Sequence, residues 1–160
     1  MKSTLILVAL LGTAAAEPTA SKPKPTECKA SGTPIFEIDV ETGKDTVALT
    51  KIFATGAWTK QRFDDKHKAT LSTGCLETAQ LDDVVAAIKA PWNVTHPKMR
   101  CMAVSATHTL YKIRGKQVYN ATLCGPDELD AKATQALAKI MAALKGLPPD
   151  VESTTAPPTK

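Results

Sequence analysis

The chain has 160 residues, 43% of them hydrophobic and 22% charged, which is the make-up of one soluble domain with ends to spare. Aromatic residues are only 4%, so the core must come mainly from Val, Ile, Leu and Ala. The net charge of +4, from 20 basic and 16 acidic side chains, excludes the dense cationic surface of a dedicated nucleic-acid binder.

Residues 1–16 read as a secretory signal. Lys2 gives the positive start, Leu5-Ile6-Leu7-Val8-Ala9-Leu10-Leu11 the apolar run, and Ala14-Ala15-Ala16 the small residues of a cleavage site. The run is shorter than the ~20 residues a membrane-spanning helix needs. No transmembrane segment is expected, and the product is secreted or periplasmic. Residues 17–32, rich in Pro, Lys, Thr and Ser, read as a flexible lead-in, and residues 147–160, with four prolines, read as a disordered tail. One domain is expected over residues 33–146.

Alternation in Phe36/Ile38/Val40 against Glu37/Asp39/Glu41 predicts a first strand over residues 34–41 with one wet face. After a turn at 41–45, residues 46–63 form a long β-prone run in which Gly56 marks a bulge or bend. A polar turn at 64–68 leads to a short third strand over residues 69–73. A helix follows, with Thr78 as N-cap, Asp82 and Asp83 in its first turn, and Leu81, Val84, Val85 and Ile88 on one face. Pro91 ends it.

Two β-prone runs between Cys101 and Cys124 flank Arg114-Gly115, a two-residue hairpin turn. Pairing Ile113 with Lys116 places Val104, Ala106, His108 and Leu110 on a core face with Tyr119, Ala121 and Leu123. Thr107, Thr109 and Tyr111 then share the wetter face with Val118, Asn120 and Thr122. The closing helix is capped by Asp127, with Glu128 and Asp130 in its first turn. It carries Leu129, Ala133, Leu137, Ile140, Met141 and Leu144 as one stripe, and stops at Gly146. The order β-β-β-α-β-β-α predicts an α+β fold: an antiparallel sheet of about five strands with two helices packed on one face.

The sequence holds no GxSxG, HExxH, P-loop, GxGxxG or EF-hand motif. His67 in a charged turn and His96 before a proline read as solvated. His108 has two readings, a general base working with Ser105 or a carboxylate, or a structural histidine that is buried with one hydrogen bond or sits at the sheet margin; the second is expected, because burial disfavours the imidazolium and no nucleophile stands at a recognisable spacing. Lys112, Arg114 and Lys116 crowd the hairpin tip, which reads as a solvated turn. Both asparagines, Asn93 and Asn120, lie in N-x-T sequons, on which no function is rested. Cys28, Cys75, Cys101 and Cys124 form no CxxC pair and have no histidine at zinc-ligand spacing, so neither metal nor cofactor is expected. Four cysteines in an exported chain suggest two disulfides in one of three connectivities.

Gly74-Cys75, the apolar-periodic helix, Cys101-Met-Ala-Val104, the turn Ile113-Arg-Gly-Lys-Gln-Val118 with Tyr119, and Cys124 together resemble the second half of the subtilisin-inhibitor-like family, over about residues 75–124. The resemblance implies a five-stranded antiparallel sheet with two helices. It also implies a Cys101–Cys124 disulfide, and with it Cys28–Cys75, and a partner-binding segment after Cys101 in which Met102 or Ala103 enters the primary pocket of an exported protease; the hairpin pattern, which runs almost up to Cys101, reads Met102 and Val104 instead as the start of a buried central strand. The function expected is therefore an exported, disulfide-stabilised, non-catalytic binding domain, with protease inhibition as its sharpest form. An envelope-associated or secreted structural protein is the alternative, and a small hydrolase using His108 comes last.

Overall fold

The computed structural model describes residues 28–98, 107–122, 125–145 and 147. The expected signal segment and most of the lead-in and tail lie outside them. The fold is α+β, as the sequence predicts, with more strands than expected. β1 (Phe36–Thr42), β2 (Asp45–Ile52), β3 (Ala57–Phe63) and β4 (Ala69–Cys75) precede α1 (Thr78–Ile88). β5 (Val94–Thr95), β6 (Thr107–Ile113), β7 (Lys116–Thr122) and β8 (Glu128–Leu129) precede α2 (Ala131–Lys145). Six strands make an antiparallel sheet in the order β4-β3-β2-β1-β6-β7, and β5 pairs with β8 as a small ribbon.

The extra strand comes from residues 46–63, which are two strands and not one bent one. The Phe53 N–H donates to Ala57 O at 2.8 Å and the Gly56 N–H to Phe53 O at 3.0 Å, closing a reversal that Gly56 completes at φ +81°. Glycine is thus a turn residue here, where a side chain would be strained.

The core lies between one sheet face and both helices. Phe36, Ile52, Trp58, Leu76, Val84 and Ile140 are its fully buried large side chains. Phe36 sits directly opposite Ile52 and Ile113, and Ile52 opposite Trp58, so the row continues across four strands. At the far end of that row Gly74 pairs with Trp58. A Cβ on Gly74 would stand 2.6 Å from the indole Cζ2, so the sheet edge leaves room there for the ring alone.

α1 begins one residue earlier than expected. Glu77 is its N-cap, in a capping box with Gln80, whose side-chain oxygen accepts the Glu77 N–H at 2.9 Å. Thr78 is therefore the first helical residue, and Asp82 and Asp83 fall beyond the first turn. α2 is capped by Asp130, not Asp127: the Asp130 carboxylate accepts the Ala133 N–H at 2.7 Å. Asp127 is occupied elsewhere, as described below. The buried face of α2 is Ala133, Ala136, Ile140 and Ala143, and Met141, expected in the stripe, is 36% exposed on the other side. The two helices pack against each other, with the Gln80 amide donating to Ala143 O at 3.3 Å.

Cys28 and Cys75 form a disulfide, their Cα atoms 5.8 Å apart. It ties the chain ahead of β1 to the end of β4, and the Thr55 hydroxyl donates to Lys29 O at 2.8 Å beside it.

Candidate functional site

The β6–β7 turn forms as expected, with Arg114 at φ +50° and Gly115 at φ +79°. Its register does not hold along the strands. Ile113 pairs with Lys116 and Lys112 with Gln117, but Tyr111 then pairs with Tyr119, because β7 carries one extra residue at Val118. The bulge exchanges the faces of β6. Tyr111, expected on the wet face, lies over Phe36 and Tyr119 at ring-centroid distances of 6.3 and 5.3 Å, on the helix side. Burial and the neighbouring Tyr119 raise its pKa. The aromatic cluster favours this register, since three rings bury more apolar surface together than apart.

His108 and Leu110, expected in the core, therefore stand on the opposite face. That face has no helix over it among the described residues. His108 is half-buried there, in register with Glu41 on β1 and Thr122 on β7. The expected place of His108 on the core face is corrected by the bulge.

The open face has a definite pattern. β1 lays Glu37, Asp39 and Glu41 down its centre. On its flanks stand Lys51 and Leu49 from β2, and Lys112, Leu110 and His108 from β6. Lys51 Nζ is 3.9 Å from Glu37, and Lys112 Nζ is 2.9 Å from Asp39 Oδ2. Asp39 is only 8% exposed, directly between Leu49 and Leu110. Its Oδ1 is buried without a hydrogen-bond partner among the described residues. The hydrogen bond to Asp39 raises the Lys112 pKa against an opposing desolvation, with Glu37 and Glu41 adding to the effect. Leu71 and Gln61 carry the same row out to β4. The result is a row of charged side chains on β1, β2 and β6 set among half-buried leucines.

A second polar cluster lies beyond β7. The Asp127 side chain is fully buried; Oδ1 is 2.9 Å from His96 Nδ1, and Oδ2 accepts the Asn120 N–H at 2.9 Å. The Asp127 N–H in turn donates to Asn120 O at 3.0 Å. One aspartate thus holds the loop before β8 onto the edge of β7, and His96, with 67% of its side chain exposed, is paired and not simply solvated. Nothing in the spacing of residues 96 and 127 announces this pair; both were legible only as a pre-proline loop residue and a helix cap. Among the sequon asparagines, Asn120 is buried, and Asn93 is exposed with its amide donating to Asp130 at 2.7 Å. No group of three or more metal-ligating side chains occurs among the described residues.

The expected partner-binding residues Met102 and Ala103, and the expected Cys101–Cys124 disulfide, lie outside the described residues. Comparison with protein-family models, curated proteins and solved structures yields no match for this chain.

Proposed function

We propose that the protein is an exported, non-catalytic binding module, which recognises another protein through the open face of its sheet and the chain that feeds β6. The observation that carries this reading is the arrangement around Asp39: an acidic centre with Lys112 and Lys51 beside it, flanked by Leu49 and Leu110. Charged groups on such a surface steer encounter with a partner of complementary charge and fix its register. Export is supported by the apolar start of the sequence and by the Cys28–Cys75 disulfide, which suits an oxidising compartment. No helix among the described residues is long and apolar enough to cross a membrane.

Protease inhibition is the sharper form of this reading, and it rests on the resemblance to the subtilisin-inhibitor-like family. In sequence, Met102 and Ala103 stand five and four residues ahead of Thr107, where β6 begins. A segment held extended before docking loses less entropy on entering a protease cleft. The test is titration of the protein against subtilisin-like and trypsin-like proteases, alongside Met102→Lys. Inhibition that moves from the first class to the second in the variant supports the reading. Absence of inhibition of both classes at micromolar concentration removes protease inhibition from it.

A further inference from the structure

The two edges of the six-stranded sheet differ. At β7 the outward N–H and C=O of Asn120 are both taken by Asp127, and the strand is bulged at Val118. That edge is closed to another strand at its middle. β4, at the other edge, has neither protection among the described residues, and only its last residue, Cys75, is tied, by the disulfide to Cys28. It pairs with β3 over seven residues from Ala57↔Cys75 to Phe63↔Ala69 without a register shift. Its sequence, Ala-Thr-Leu-Ser-Thr-Gly-Cys, has no charged residue and no proline. Lysine, proline and bulges are the devices that natural sheets use to keep an edge from pairing.

The phase of its hydrogen bonds follows from the two ends of the hairpin. The Leu76 N–H donates to Gly56 O at 2.8 Å and the Asp64 N–H to Lys68 O at 3.1 Å. Bonded pairs recur every second residue in an antiparallel ladder. Residues 70, 72 and 74 therefore bond β3, while Ala69, Leu71, Thr73 and Cys75 turn their backbone N–H and C=O groups outward. Thr73 and Cys75 are exposed, and Ala69 and Leu71 half-buried.

We propose that β4 is a self-association edge, at which a second copy of this chain adds its own β4 antiparallel about a two-fold axis. A strand without charge meets its own copy with no like charges opposed. With β7 closed, a β4-to-β7 contact that would propagate a filament is blocked, so the association is isologous and ends at a dimer. The axis stands perpendicular to the sheet, because only that operation pairs the two strands antiparallel edge to edge. The product is a continuous twelve-stranded sheet with all helices on one side and both open faces on the other. The proposal is independent of what those faces bind.

The experiment is sedimentation equilibrium of the oxidised protein to about 100 μM, with Thr73→Pro and with Thr73→Lys and Thr73→Glu apart and mixed. Thr73→Pro removes an outward N–H and none that bonds β3. A concentration-dependent dimer is expected for the parent protein, weakened at least tenfold in each single variant, with association restored when the Lys and Glu variants are mixed. Restoration by mixing is a readout that misfolding of either variant would not give. A parent protein that stays monomeric throughout, or a dimer that persists unchanged in Thr73→Pro and Thr73→Lys, overturns the proposal.

Discussion

Gly74 and Asp39 are the residues at which the side chain is most tightly prescribed. Any side chain at 74 meets the Trp58 ring, the nearest atom 2.6 Å from a Cβ, and Trp58 is itself 1% exposed. Gly74→Ala should cost about 1–3 kcal/mol through forced repacking, read as a lower urea midpoint with an unchanged slope. Asp39 depends on Lys112. Lys112→Met leaves a buried carboxylate without its cation and should cost roughly 1–3 kcal/mol, with part of the loss recovered in Asp39→Asn/Lys112→Met, as a double-mutant cycle would measure. The raised Lys112 pKa sets the sign of the pH effect. Its contribution is complete below the ordinary lysine pKa and disappears as pH rises through the raised value, so Lys112→Met should flatten the alkaline limb of the stability curve. The sequence shows Asp39 on a polar face of β1 through simple alternation. It does not show that the aspartate is enclosed, because the enclosing Leu49 and Leu110 come from two other strands.

At the scale of elements, local chemistry was readable where it is local. Arg114-Gly115 demanded a turn with positive φ, and the turn is there. Pro91 ends α1, and the apolar positions Leu81, Val84, Val85 and Ile88 do face the core. The faces of β6 were not readable, since one extra residue at Val118 inverts them and leaves no trace in the periodicity of a seven-residue strand. The cap of α2 is ambiguous in sequence for a similar reason: Asp127 and Asp130 both fit a cap by type, and only the demand of the β7 edge for a carboxylate separates them. Asp130 is held below the usual carboxylate range by the Ala133 N–H first and the Asn93 amide next. A lowered carboxyl stabilises above its unfolded pKa and ceases to as pH falls through the folded value. Asp130→Ala should therefore lower the thermal midpoint at neutral pH and make no difference in strong acid, which circular dichroism at 222 nm would follow.

The whole molecule is an antiparallel sheet with its helices on one side, and its stability is joined to a covalent brace. The Cys28–Cys75 bridge spans 47 positions, and closing such a loop restricts the unfolded chain by about 4 kcal/mol in the chain-entropy model. Cys28→Ser/Cys75→Ser should lose stability on that order by chemical denaturation under oxidising conditions. Among the described residues the helices leave the Asp39 face open, and this face is the proposed site of partner binding. On the proposed protease inhibition, the direct measurement is the inhibition constant against a subtilisin-like protease for the parent protein, Leu110→Glu on the open face and Met141→Glu on the exposed side of α2, each variant first shown to be folded by its thermal transition. A hot-spot position should weaken inhibition at least about tenfold in Leu110→Glu and leave it unchanged in Met141→Glu. A folded Leu110→Glu that inhibits as well as the parent, or a loss confined to Met141→Glu, would contradict the account.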